Sequence, residues 1–123
     1  MATNKITKVY GILNGTCNYI LSQMEKTKDS FKNVLKNAQK LGYAEPGNPK
    51  LDLNGYDALA KVKILSALAF NCKISKSQSL MEGIEKIEAT DFDIVEKLNL
   101  RIKLLGITAV SYTHLRAHET KSY

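Results

Sequence analysis

The run Leu41-Gly42-Tyr43-Ala44-Glu45-Pro46, followed by Leu51-Asp52-Leu53-Asn54-Gly55-Tyr56-Asp57-Ala58-Leu59-Ala60-Lys61, constrains this chain more than any other stretch. One helix has to stop inside it and another has to start. Phe31, Val34, Leu35, Ala38 and Leu41 recur at helical spacing behind Ser30, a natural N-cap. Gly42 follows the last of them and reads as the C′ stop, because glycine takes the left-handed conformation without a Cβ penalty. Pro46-Gly47-Asn48-Pro49 is an irregular loop on turn chemistry. From about Asn54 or Tyr56 the spacing of Ala58, Leu59, Val62, Leu65, Leu68 and Ala69 predicts a helix to Phe70. That helix is apolar over much of its circumference and is expected to be the most buried one.

The remaining segments fit around this centre. Residues 9–13 are short, apolar and β-prone, and Asn14-Gly15-Thr16 breaks them. A helix is expected over 17–26, with Ile20, Leu21 and Met24 as its apolar face. Residues 81–87 read as a strand through Ile84 and Ile87, Thr90-Asp91 as the cap of a short helix to about Leu98, and 101–108 as a final strand. Strands separated by helices in a single domain predict an α+β layer, a mixed sheet covered by helices on one face.

Composition excludes several classes. No apolar run approaches the roughly 20 residues that span a bilayer, and Met1-Ala2-Thr3-Asn4-Lys5 has no apolar segment behind it, so the expected setting is cytoplasmic. Cys17 and Cys72 lie in no metal-binding spacing and are expected to be reduced, partly buried thiols. His114 and His118 have i, i+4 spacing but no third ligand, so no metal site is expected. The net charge of +6 is spread without a basic stripe, which favours a solvated surface over a nucleic-acid partner.

Asp57 and Lys61 stand i, i+4 on one helix face. On spacing alone they are a surface ion pair worth about 0.3–0.5 kcal/mol. The apolar surroundings of Lys61, its place in the first turns, and Glu45 and Asp52 just upstream point further. A partly desolvated lysine has a lowered pKa and exchanges a proton near neutrality, while two or three carboxylates can hold the ammonium of a small zwitterion.

Gly11-Ile12-Leu13-Asn14-Gly15-Thr16 followed by Asn18-Tyr19-Ile20, the order Gly-Tyr-x-Glu…Asp-x-x-Gly-x-Asp-x-x-x-Lys, and Ile102-Lys103-Leu104-Leu105-Gly106 together resemble the substrate-binding half of homoserine dehydrogenase. The resemblance covers residues 9–108. It implies interconversion of L-aspartate 4-semialdehyde and L-homoserine with NAD or NADP, on the route to threonine, methionine and isoleucine. It further implies that Lys61 is the acid/base, Asp57 its partner, and Glu45 the group binding the substrate amino function. Asp52, Thr16, Gly42 and Tyr43 would line the substrate pocket, and a homodimer would form through the sheet.

Two departures accompany the resemblance. Gly47-Asn48-Pro49 makes the loop after Glu45 one residue longer than the family pattern. No G-x-G-x-x-G is present, so no cofactor-binding residue is expected in this chain, and residues 1–108 read as a domain detached from its dinucleotide-binding half. Residues 109–123 depart from the family pattern and resemble a string that ends unrelated translated sequences; they are expected to be a translated adaptor or misassembly scar. An isolated chain of this kind is expected not to turn over. Two other readings stand beside this one. A non-catalytic dimerisation or regulatory module would keep the core but gain nothing from Glu45, Asp57 and Lys61; a basic nucleic-acid-binding domain would need a clustered cationic face.

Overall fold

A computed structural model describes residues 7–75 and 78–110 of the chain. In order, these form strand β1 (Lys8–Gly11), helices α1 (Gly15–Thr27), α2 (Phe31–Leu41), α3 (Lys50–Leu53), α4 (Tyr56–Phe70) and α5 (Ala89–Lys97), and strand β2 (Gly106–Ala109). The α+β class is as expected. Among the described residues the sheet is a two-stranded antiparallel pair, with Lys8 opposite Ala109 and Gly11 opposite Gly106. Helix α4 packs on its inner face, where Gly106 and Thr108 are buried. Strand β2 reaches Ala109, and the Val110 N–H donates to the Thr7 carbonyl at 3.0 Å, so regular pairing continues past residue 108. The chain beyond Val110, with His114 and His118, lies outside the described residues.

The core is built on α1. Cys17, Ile20, Leu21 and Met24 are fully buried along one face. Val34 and Ala38 of α2, Leu53 of α3, Phe92 of α5, and Ile84 from the segment before α5 close around them. Helix α2 begins and ends as its sequence dictates: Ser30 Oγ accepts from the Asn33 N–H at 3.2 Å, and Gly42 adopts φ 88°. Helix α5 starts two residues earlier than expected. Glu88 rather than Thr90 is its N-cap, and Asp91 Oδ2 reaches back to accept from the Glu88 N–H at 2.8 Å. Arg101–Glu25 and Lys28–Glu96 ion pairs join this end of the molecule to the last turns of α1.

Four expectations need correction. Residues 81–87 form a turn, not a strand. Gly83 sits so close to the 53–54 backbone that a Cβ there would lie 2.2 Å from the Leu53 carbonyl, and the Ile84 N–H donates to that same oxygen at 2.9 Å. A chain bent to make that contact cannot continue as a ladder. The final strand likewise does not span residues 101–108: only Gly106–Ala109 is paired. Helix α4 is not the most buried helix: Ala58, Val62 and Ser66 are buried, whereas Ile64 and Leu68 are 61% and 79% exposed. Only its sheet-facing side is covered among the described residues, and the most buried helix is α1. Finally, the thiols differ in kind, since Cys17 is fully buried and Cys72 is exposed.

Candidate functional site

Three helix N-termini meet at one place. Asn14 is the N-cap of α1, Asp52 lies in the first turn of α3, and Asp57 in the first turn of α4. Each helix start carries partial positive charge, which suits the carboxylates placed there. Gly55, at φ 90°, makes the sharp connection between α3 and α4, and a Cβ on it would meet the Glu82 carbonyl at 2.8 Å. Glycine is the residue this connection needs.

The expected Asp57–Lys61 pair is present. Lys61 Nζ stands 2.9 Å from Asp57 Oδ2 and donates to the Leu13 carbonyl at 2.8 Å. The Lys61 side chain is 47% exposed, so it is less desolvated than the apolar sequence around it suggested. Hydrogen bonds from Lys61 and then from Asn14, with the lysine's charge, hold the Asp57 carboxyl below the usual carboxylate range. Glu45, Asp52 and Asp57 all line one open cavity of about 330 Å³, together with Pro49 and Tyr56. Among the described residues no three His, Cys, Asp or Glu side chains are grouped to hold one metal ion.

The other expected residues are placed as follows. Thr16 Oγ1 donates to the Tyr43 carbonyl at 3.2 Å, and the Tyr43 ring stacks on Tyr19 with centroids 4.1 Å apart. Gly42 supplies the left-handed turn that releases Tyr43, Ala44 and Glu45 from the end of α2. Thr16, Gly42, Tyr43 and Lys61 itself do not line the carboxylate cavity; Lys61 reaches its edge only through its pairing with Asp57. The longer loop after Glu45 is fastened by Gln39, whose Nε2 donates to the carbonyls of Glu45 at 2.9 Å and Gly47 at 3.1 Å.

Sequence reasoning missed Asn14 as a site residue. Its Oδ1 accepts from the Cys17 N–H at 2.8 Å, while its Nδ2 donates to Asp52 Oδ1 at 3.0 Å and Asp57 Oδ2 at 2.9 Å. In the sequence it reads only as part of the Asn14-Gly15-Thr16 break after the first strand. Cys17 is no nucleophile: burial, then the charges of Asp52 and Asp57, push its thiol up to about 12. As a neutral thiol it donates to the Asp52 carbonyl at 3.1 Å. The arrangement offers carboxylates for a small cation, one ammonium for an oxygen that gains charge, and an opening to solvent. Among the described residues no helix is long and apolar enough to cross a membrane.

A family model described as homoserine dehydrogenase matches residues 1–122, and so runs through 109–122 as well. The homoserine dehydrogenase of Neisseria gonorrhoeae is 45% identical over 122 residues, covering 98% of this chain and 28% of that protein. That of Helicobacter pylori is 50% identical over 107 residues, covering 87% of this chain and 25% of its own length. The crystal structure of homoserine dehydrogenase from S. aureus superimposes with a TM-score of 0.83 at 41% identity, over 88% of this chain and 27% of that one. The chain therefore spans little more than a quarter of the length of these relatives.

Proposed function

The chain belongs to the homoserine dehydrogenase family of oxidoreductases, and from that premise we propose that it is the substrate-binding part of an enzyme interconverting L-aspartate 4-semialdehyde and L-homoserine. The observation that carries this reading is the joining of Asp57, Lys61 and Asn14 beside a cavity lined by Glu45, Asp52 and Asp57. Glu45, with Asp52, takes the α-ammonium of the substrate and fixes its orientation. Lys61, anchored by Leu13 and Asp57, keeps an N–H for the substrate oxygen. It stabilises charge developing on that oxygen, delivers a proton to it, and recovers the proton in the reverse direction. Thr16, Gly42 and Tyr43 shape the adjoining wall.

The reaction class implies NAD or NADP, and the described residues do not fit its phosphates. The three helix starts at the site are taken up by Asn14 on α1, Asp52 on α3 and Asp57 on α4, and the two carboxylates repel a pyrophosphate. The dinucleotide is assigned to the rest of a full-length protein, and this chain alone should not turn over. The same reading places the enzyme in the cytoplasm, in the supply of threonine, methionine and isoleucine, acting on a small molecule without nucleic-acid or membrane partners. It also makes the protein a homodimer through the outer face of the sheet, where Tyr10 and Ile107 lie opposite each other and exposed.

The test is homoserine-dependent reduction of NAD and NADP by the full-length protein containing this chain, beside its Lys61→Ala variant. The variant should lose about a hundredfold or more in kcat. A well-folded full-length protein with no homoserine-dependent activity would overturn the reading and favour the non-catalytic module.

A further inference from the structure

We propose that Asn14 is a positioning residue for the Asp57–Lys61 pair, acting through its side-chain amide and not through the substrate; this rests on the function proposed above. The chemistry of its neighbours fixes which way the amide points. Its oxygen meets a backbone N–H, that of Cys17, and its nitrogen meets two carboxylates, Asp52 and Asp57. The reverse orientation would set the oxygen between two negative charges and a donor against a donor. Both N–H groups of the amide are thus committed, one to each carboxylate, and its bonding capacity on that side is complete.

The consequence falls on a single oxygen. Asp57 Oδ2 receives both Asn14 Nδ2 at 2.9 Å and Lys61 Nζ at 2.9 Å. Lys61 is in turn held by the carbonyl of Leu13, the residue that precedes Asn14. The Leu13–Asn14 segment therefore grips both members of the pair, the aspartate by a side chain and the lysine by a carbonyl. Because α1 is the most buried helix, its cap cannot wander, and the pair inherits that fixity. Without the amide, Asp52 and Asp57 would face one another with no donor between them. Asp57 would be harder to ionise and free to rotate, and Lys61 would lose the direction that leaves an N–H for the substrate.

A cap role and a positioning role separate on substitution. Serine caps a helix as well as asparagine does but cannot bridge two carboxylates. The Asn14→Ser chain should keep its helix content by circular dichroism, while the Asp57 carboxyl, followed by carbon-detected NMR titration, moves up toward the ordinary carboxylate range. Asn14→Asp, which adds a third carboxylate, should move it further. In the full-length protein, Asn14→Ser should lower kcat about ten- to a hundredfold, the scale of one hydrogen bond to a charged group, with the acid limb of the pH profile displaced to higher pH. An unmoved Asp57 titration in Asn14→Ser overturns the proposal. Should neither variant fold, the wild type decides: the Asn14 side-chain amide protons must exchange slowly and shift in step with the Asp57 titration, and freely exchanging protons overturn it. Full activity in Lys61→Ala would overturn the proposed function without touching the titration, so the two failures are distinguishable.

Discussion

Asp57 keeps its negative charge to lower pH than an ordinary carboxylate, since Lys61 and Asn14 both donate to it in the folded chain. Its folded pKa lies below its unfolded one. The stability it contributes is therefore complete above the ordinary carboxylate range, about pH 4, and is lost as pH falls through the lowered folded value. Thermal unfolding of wild type and Asp57→Asn should differ by a constant amount near neutrality, and the gap should close in acid. A gap that widened in acid would mean the pair does not hold Asp57 in its charged form. The pair itself was legible, because four-residue spacing on a helix determines proximity. The third member was not. Asn14 lies 38 and 43 positions from the carboxylates it joins, and no local pattern encodes a contact across that span.

At the level of elements, local chemistry read well where the element decided its own ends. Ser30 and Gly42 bound α2 in the structure as they do in the sequence. It read poorly where a neighbouring segment decided. Ile84 and Ile87 suggested a strand, yet the turn at 81–87 exists because Gly83 lets the chain touch the end of α3. A Cβ at Gly83 would come within 2.2 Å of the Leu53 carbonyl and 2.6 Å of the Asn54 Cα, both backbone atoms that cannot swing aside. Gly83→Ala should cost about 1–3 kcal/mol, the usual penalty for overpacking, read as a lower urea midpoint. Gly15→Ala is the control, since nothing lies within 4 Å of the added methyl and its backbone is helical. Equal midpoints for the two variants would show that the 53–83 contact does not hold the turn. The same contact bears on the cavity, because it supports the α3–α4 connection at Gly55 that presents Asp52 and Asp57.

For the molecule as a whole, the apolar sequence of α4 promised burial that the described residues supply on one side only. Ile64 and Leu68 stay exposed, as do Tyr10 and Ile107 on the outer face of the sheet. Sequence periodicity reports how apolar a face is and not which chain covers it. If the outer sheet face is a subunit interface, the thermal midpoint of the protein should rise with its concentration. Tyr10→Glu should abolish that rise, whereas a midpoint independent of concentration would argue for a monomer. Strands β1 and β2, the first and last elements described, pair with each other, and Thr7 and Val110 are joined by a hydrogen bond. Whatever polypeptide is attached ahead of Thr7 or behind Val110 consequently departs from one corner. A unit wired that way can sit within a longer chain as a cassette, interrupting its host without prising the host's two ends apart.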